Sequence, residues 1–158
     1  MVKPALGLSD KQRSEVADKL NTILAHEYIL YTKTLKYHWN VESICFGQLH
    51  LLFREQYEHL FDIIDDVAER VRSLGHYSFG TLQEFAQASE ITEHPGKYPK
   101  DMAMIADLLS DQETVIKLLR IEVDATFELG DAGTSNFLTD IMEKHEKAAW
   151  MLRAHLVK

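Results

Sequence analysis

The sequence predicts an all-α fold, a four-helix bundle with a short extra helix in the long middle connection. Glycine and proline, 7 and 3 of 158 residues, are scarce and clustered, which leaves four long stretches free of helix breakers. Apolar residues recur at helical spacing along these stretches. One connection is long enough to be a crossover along the bundle. We expect one domain over residues 1–158, long enough to bury a core.

The first two helices are predicted from their capping residues. The first begins after Ser9, a favourable N-cap, and runs to about residues 37–38. The second spans residues 46–74, where no proline interrupts it, and Gly75 ends it in the usual C-terminal position. In the middle connection the pattern weakens, and residues 81–88 form the short extra helix.

The last two helices follow the middle connection. Pro99 suits the first turn of a helix that extends to about Glu128. Glycines then mark a break, after which Thr134 or Ser135 can cap a final helix that runs to Leu156.

Composition limits the classes of function. The chain has 17 Lys and Arg against 25 Asp and Glu, a net charge of −8, so as a whole it repels nucleic acid and anionic membranes. The N-terminus has no signal-type apolar segment and no apolar run reaches membrane-spanning length, so we expect a cytoplasmic protein. The single cysteine, Cys45, permits no internal disulfide, and we expect it to be a small buried residue rather than a redox sensor.

Two carboxylates on the second helix form a candidate metal site. Asp65 and Glu69 are four residues apart and share a helix face, so they could grip one cation. His50 lies fifteen residues before Asp65, which is about 22 Å along the helix axis. No single ion bridges that gap. If His50 and the carboxylates serve one site, a second copy of the chain must supply half of it through a two-fold axis.

Four segments of the sequence carry a family resemblance. They are Tyr-His-Trp-Asn-Val at 37–41, Phe-Gly-Gln-Leu-His at 46–50, Asp-Asp-Val-Ala-Glu-Arg at 65–70 and Glu-Lys-Ala-Ala-Trp-Met-Leu at 146–152. Together they resemble the Dps family of miniferritins, the DNA-binding proteins from starved cells. The resemblance implies a ferritin-like bundle whose two-fold dimers build a hollow dodecamer. It also implies a ferroxidase that oxidises Fe(II), preferably with hydrogen peroxide, and stores the ferric mineral, protecting the cell against oxidative damage.

The resemblance also implies which residues bind iron. His38 and His50 of one subunit, with Asp65 and Glu69 of its dimer partner, would be the ligands, and imidazole and carboxylate suit iron. The same donors could hold zinc or manganese, which stays open as an alternative. None of the eight histidines has a glutamate three residues before it, so the Glu-x-x-His motif of metal sites within one bundle is absent.

Several other positions correspond to functional residues of the family. Arg54 stands where the family usually has an acidic residue that helps to hold a second iron, and an arginine cannot ligate iron. Trp39 corresponds to a tryptophan close to the iron centre. Asp131, Asn136 and Asp140 correspond to residues that line three-fold pores, although an acid such as Asp131 also stabilises a helix N-terminus.

DNA binding is expected to be weak or absent. Family members that bind DNA commonly use a Lys- and Arg-rich tail, whereas the short flexible leader predicted at residues 1–8 has only Lys3. The chain ends at Lys158, directly after the last predicted helix. A non-catalytic shell protein, acting by DNA coating or by surface contacts, remains the alternative from a different class.

Overall fold

The computed structural model describes residues 4–156, which form helices and connections without a strand. The helices are α1 Asp10–Asn40, α2 Phe46–Ser73, the short α3 Leu82–Ala88, α4 Asp101–Glu128 and α5 Ala132–Ala154. The prediction of an all-α four-helix bundle with a short helix in the middle connection is therefore confirmed. Within the described residues, no helix is long and apolar enough to cross a membrane.

The start of α1 is the one that the sequence predicts. The Ser9 side chain accepts a hydrogen bond from the Gln12 amide at 3.3 Å, and the Gln12 side chain accepts one from the Ser9 amide at 2.8 Å. This reciprocal capping box satisfies two amides at the N-terminus that would otherwise lack partners. The helix continues to Asn40, so His38 lies inside its last turn.

α4 begins later than predicted, at Asp101, and Pro99 precedes its N-cap Lys100. The Asp101 carboxylate accepts a hydrogen bond from the Met102 amide at 2.7 Å and one from the Ser43 hydroxyl at 2.6 Å. These bonds lower the pKa of Asp101, with the Ser43 bond the larger cause. An acid at this position stabilises the helix N-terminus, and the contact with Ser43 ties it to the connection after α1.

α5 begins earlier than predicted, because Asp131 and not Thr134 or Ser135 is its N-cap. The Asp131 carboxylate accepts a hydrogen bond from the Thr134 amide at 2.9 Å and pairs with Arg70 of α2 at 3.0 Å. Ser135 instead donates its hydroxyl to a carbonyl oxygen of α4 at 3.0 Å. The tertiary contact with Arg70 selects the cap from several residues of similar capping preference.

The core lies between the four long helices. α1 packs along α2, α4 packs along α5, and α3 covers part of α1 through a stacked pair of rings, Tyr28 and Phe85, whose centroids are 4.3 Å apart. The largest fully buried side chains are Tyr37, Phe53, Leu20, Ile23, Leu24, Leu30, Leu49, Leu74, Met104, Ile105, Leu108 and Leu119. Each side chain of this size contributes roughly 1.5–3 kcal/mol when it is buried.

A buried lysine joins α1 to α4 and to the middle connection. The Lys33 ammonium lies 2.9 Å from Asp107 and 2.6 Å from Asp111, and donates to the Thr92 carbonyl at 3.2 Å. Burial raises the pKa of Asp111. Burial also acts to raise the pKa of Asp107, but the hydrogen bonds from Lys33 and Tyr37 outweigh it and lower that pKa. The pKa values of two carboxylates that share one lysine are thus shifted in opposite directions.

The described part of the leader, residues 4–8, is held against the bundle. The Pro4 carbonyl accepts a hydrogen bond from buried Arg13 at 2.7 Å, and Leu8 packs on the core. Gly75 ends the α2 segment with φ +87°, and a Cβ there would lie 2.8 Å from the Pro4 ring, so only glycine fits. Residues 1–3 and 157–158, including Lys3 and Lys158, lie outside the described residues.

Candidate metal site

The connection between α1 and α2 brings His38 and His50 face to face. His38 lies in the last turn of α1 and His50 in the second turn of α2, on either side of a short reversal. Their rings stack with centroids 3.8 Å apart and an interplanar angle of 21°. His38 is buried, with 7% of its surface exposed, and His50 is half-buried. Two imidazoles that are distant in sequence therefore form one compact pair.

Each imidazole is oriented by the backbone of the other residue. Nδ1 of His38 is 2.8 Å from the His50 carbonyl oxygen, and Nδ1 of His50 is 3.0 Å from the His38 carbonyl oxygen. A carbonyl oxygen only accepts hydrogen bonds, so each Nδ1 carries a proton and donates it. In the neutral rings Nε2 is then the atom with the free lone pair. Metal-binding histidines are commonly oriented in this way by a hydrogen bond from their other nitrogen.

Aromatic side chains hold this histidine pair from both sides. Phe46 stacks on His50 with centroids 5.0 Å apart, and Tyr57 contacts His38 edge-on at 5.1 Å. Packing on both faces limits ring rotation, so the two Nε2 atoms keep a fixed direction. Such restraint of ligands before a metal arrives is typical of a functional site.

The two carboxylates lie far from the histidine pair. Asp65 and Glu69 are both exposed and occupy the second half of α2, an uninterrupted helix in which fifteen residues correspond to about 22 Å. Within residues 4–156 neither side chain forms a hydrogen bond or an ion pair, and no group of three or more His, Cys, Asp and Glu side chains is placed to hold one ion. One chain thus brings His38 and His50 together and leaves Asp65 and Glu69 apart from them.

Arg54 lies one helical turn after His50 and is paired within its own helix. Its Nε donates to a Glu58 carboxylate oxygen at 2.7 Å, and both side chains are about half exposed, at 57% and 51%. Glu58 therefore neutralises the positive charge that Arg54 adds beside the histidines, without placing a carboxylate at the position of Arg54. Such an exposed pair within one helix contributes little to stability, because solvent screens it.

Apolar side chains beside the histidine pair are exposed in the single chain. Trp39 is 68% exposed and Ile44 fully exposed, and Phe46 is 48% exposed. Large apolar side chains grouped on a surface mark an interaction site. Cys45, expected to be buried, is exposed and is the N-cap of α2, because Val41 takes the buried position of this connection. That expectation was wrong.

The expected pore residues differ in their surroundings. Asp131 is 5% exposed, caps α5 and pairs with Arg70, which favours the helix-capping interpretation over the pore. Asn136 is exposed. The Asp140 side chain is 65% exposed and forms a surface pair with Lys144 at 2.6 Å.

A second polar cluster, which the motif search missed, lies inside the bundle. The His145 ring reaches Glu27 through Nε2 at 2.9 Å and the Gln112 side chain through Nδ1 at 2.6 Å. Gln56 of α2 is also buried. The search for Glu-x-x-His could not detect this cluster, because α2 carries Gln56-x-x-His59, with an amide in place of the carboxylate. Its members become apparent only once the fold shows that they are buried on four different helices.

Comparison with known proteins identifies the family. The ferritin-like domain family matches residues 17–158. An uncharacterised low temperature-induced protein of Nostoc sp. is 46% identical over 152 residues, 96% of this chain and 85% of that protein. The DNA protection during starvation protein of Helicobacter pylori is 30% identical over 87% of this chain and 95% of that protein.

Solved structures agree with these matches. DpsC from Streptomyces coelicolor superimposes with a TM-score of 0.95 at 30% identity, covering 98% of this chain and 90% of that chain. The Dps protein from Vibrio cholerae, described as a member of a broad superfamily of ferritin-like diiron-carboxylate proteins, has a TM-score of 0.93 at 30% identity over 99% of this chain and 98% of its own. Since fold and sequence agree over almost the whole length, this chain belongs to the Dps family of miniferritins.

Proposed function

We propose that this protein oxidises Fe(II) at a site shared by two subunits and stores the ferric product as a mineral inside a hollow dodecamer. His38 and His50 of one subunit, with Asp65 and Glu69 of the two-fold partner, are the ligands in this proposal. The oxidant is hydrogen peroxide. The protein thereby removes two reagents that together generate hydroxyl radical, and its role is protection against oxidative damage as well as iron storage.

The stacked histidine pair is the observation that carries the proposal. Both Nδ1 atoms donate to backbone carbonyl oxygens at 2.8 and 3.0 Å, which leaves both Nε2 lone pairs available. A histidine with a purely structural role more often uses its polar atoms to satisfy buried partners. Here the backbone holds two rings so that their second nitrogens are free for an ion.

Two-fold symmetry accounts for the distant carboxylates. α2 carries His50 near its start and Asp65 and Glu69 in its second half. When two copies of such a helix run antiparallel, the start of one lies beside the later turns of the other, and the site is made twice. The exposed Trp39, Ile44 and Phe46 supply apolar surface for this contact. Both carboxylates have no partner within the described chain, as expected for ligands that face another subunit.

The reaction proposed for this site conserves electrons and protons. Each of two Fe(II) ions gives one electron to one hydrogen peroxide molecule. The O–O bond breaks, and two protons complete two water molecules, so that no hydroxyl radical is released. Two imidazoles and two carboxylates supply nitrogen and oxygen donors that suit both iron oxidation states.

Arg54 makes one iron position stronger than the other in this proposal. An acidic residue one turn after His50 would add a ligand, whereas Arg54 supplies only donor N–H groups and is already bound to Glu58. The first iron therefore binds to the histidines and carboxylates, and the second binds weakly. Peroxide reduction then depends on the arrival of a second Fe(II) from solution.

The test is anaerobic loading with Fe(II) followed by addition of hydrogen peroxide. Ferric absorbance and peroxide consumption are measured for the wild type and for a His38→Ala/His50→Ala variant. The matched control is His76→Ala, which removes a histidine just after the far end of α2, the helix that carries His50 near its start. We expect fast oxidation near two Fe(II) per peroxide in the wild type and the control, and at least a tenfold slower rate in the first variant.

Equal rates in all three proteins would overturn the ferroxidase proposal and favour the non-catalytic shell protein. Metal analysis after purification without added metal addresses the remaining alternative, because the same donors bind zinc more tightly than iron. An Arg54→Glu variant extends the test. Its iron stoichiometry should rise towards two per site. The control Lys11→Glu reverses the charge of an exposed lysine that is paired four residues away, as Arg54 is, and should leave the stoichiometry unchanged.

A further inference from the structure

A cavity of about 340 Å³ opens between α2 and α5, away from the stacked histidine pair. Its walls include Gln56, His59, Gln112, Lys144, His145 and Met151. The cavity is mostly apolar, but its polar side chains lie close to a buried glutamate, Glu27, that His145 contacts at 2.9 Å. An apolar cavity with a few convergent polar groups is the usual form of a binding site.

The polar groups come from every long helix of the bundle. Glu27 lies on α1, Gln56 on α2, Gln112 on α4 and His145 on α5, and each is at least 94% buried. Buried polar groups in a bundle interior cost free energy unless they are fully paired. Side chains that converge from facing helices are also how metal sites are built in bundle cores.

Several of these atoms have no partner. Oε2 of Glu27 and both side-chain atoms of Gln56 are buried without a hydrogen bond in the described structure. No lysine or arginine of the described residues pairs with Glu27, whose only partner is His145. An unpaired buried carboxylate oxygen destabilises the fold, and a bound ligand offsets that cost. The missing partner has to interact with a carboxylate oxygen.

We propose that this interior cluster binds a single divalent transition-metal ion. Glu27 Oε2 and the Gln56 amide oxygen lack a donor, and a cation satisfies both of them at once. Nε2 of His145 and Oε1 of Glu27 are 2.9 Å apart. Two ligands at right angles around an ion with bonds of about 2.1 Å are separated by about 3 Å, so these two atoms need little movement.

The donor set defines the class of ion. One carboxylate, one imidazole and the amide oxygen of Gln56 make an N/O set that suits zinc, iron(II) or manganese(II). Gln112 contacts Nδ1 on the other side of the His145 ring at 2.6 Å and so orients that ring. The donor set contains two strong ligands, in keeping with the absence of a cluster of three His, Cys, Asp or Glu side chains in the described residues. His59, about one turn after Gln56, is exposed at the cavity wall, so the ion reaches the buried ligands past this side chain in our proposal.

This interior site is independent of the intersubunit site. It uses no residue of the stacked histidine pair and needs no partner subunit. The two proposals can therefore fail separately. The test begins with the His38→Ala/His50→Ala variant, in which the proposed intersubunit site is disabled, and uses Co(II) alone under anaerobic conditions as the probe.

We expect about one Co(II) per chain to remain bound in that variant after desalting, with visible absorption bands of an N/O-coordinated ion. Adding Glu27→Gln, which keeps the shape and removes the charge, should abolish the bands and the retained metal. Adding Gln56→Met should weaken Co(II) binding at least tenfold. That change removes the unpaired amide, so it should not lower stability without metal. His155→Ala in the same background is the control and should retain Co(II).

No retained Co(II) in the His38→Ala/His50→Ala variant, with native circular dichroism, would overturn the proposal and leave the cluster as a hydrated core. Retention of Co(II) by the Glu27→Gln variant would overturn the ligand assignment. If Glu27→Gln does not fold, the Gln56→Met variant decides, because equal Co(II) affinity with and without that change contradicts the site.

Discussion

The stacked histidine pair and the interior cluster make their hydrogen bonds to different kinds of partner. His38 and His50 bond only to backbone carbonyl oxygens and keep one nitrogen each free. His145 uses both ring nitrogens, one on Glu27 and one on Gln112, inside the bundle. No carboxylate joins the first pair within the described chain, and Asp65 lies about 22 Å from His50 along α2. The interior cluster has its carboxylate within hydrogen-bonding distance.

The comparison distinguishes two kinds of polar side chain. Satisfied groups have their hydrogen-bond or ion-pair partners within the same chain, and open groups have none there. Groups satisfied within the chain, such as His145 and the Lys33 network, contribute to the folding of the subunit. Groups left open, such as Asp65 and Glu69, contribute little to folding and are available for a partner or an ion. Substitutions should therefore affect stability in the first set and activity in the second.

The largest expected effect on stability is that of His145→Ala. The change leaves Glu27 buried without its only partner, so we expect the free energy of unfolding to fall by about 3 kcal/mol. His50→Ala removes one hydrogen bond near the surface and should cost about 1 kcal/mol. Urea unfolding followed by circular dichroism, in metal-free buffer at one protein concentration, measures both.

A metal-loaded sample sharpens this test. With Co(II) present, the wild type should gain stability because the ion binds the folded state alone, and His145→Ala should gain none from the interior site. Similar stability losses in the two variants would contradict the division into satisfied and open groups.

The fold was predictable because periodicity and glycine spacing are local signals. Ser9 caps the start of α1 through Gln12, three residues away, and the turn at Gly75 is closed by the hydrogen bond from its amide to the Arg72 carbonyl. The sequence indicated that Asp131 could stabilise a helix N-terminus, but not that it caps α5 in place of Thr134 or Ser135. That choice depends on Arg70, which is 61 residues away. The interior cluster was missed for the same reason, since Glu27 and His145 are 118 residues apart and amide side chains give no periodic signal. The separation of His50 from Asp65 was predictable, because one unbroken helix carries both.

The Lys33 network provides the next prediction, since one lysine holds two carboxylates with opposite pKa shifts. Asp107 has a lowered pKa, so its ionised form stabilises the folded state above the ordinary aspartate pKa, near 3.9, and this contribution is lost as the pH falls through the lowered value. Asp111 has a raised pKa, mainly from burial, so its ionised form is disfavoured on folding. The contribution of Asp111 to the stability of the folded state is therefore greatest at low pH, and it is lost as the pH rises through its raised pKa.

At pH 7, Asp107→Asn should lower the free energy of unfolding by about 2 kcal/mol, the size of a hydrogen bond to a charged group. Asp111→Asn should lower it less, because the substitution removes a carboxylate that burial disfavours. The difference between the two variants should shrink as the pH falls towards 4. Urea unfolding at a series of pH values measures it, and a difference that grows at low pH would contradict the two shifts.

The smallest expected effects distinguish a buried acid, Asp131, from an exposed one, Asp140, in the first half of α5 and its N-cap. Asp131→Ala removes a helix cap and the partner of Arg70, so unfolding should become easier by about 1–2 kcal/mol. Asp140→Ala removes an exposed pair with Lys144 and should change stability by less than about 0.5 kcal/mol. If Asp140 lines an iron pore, its variant should instead take up Fe(II) more slowly at unchanged stability. Equal stability losses in Asp140→Ala and Asp131→Ala would contradict this distinction. They would mean that contacts between subunits bury Asp140 as deeply as the fold of one chain buries Asp131.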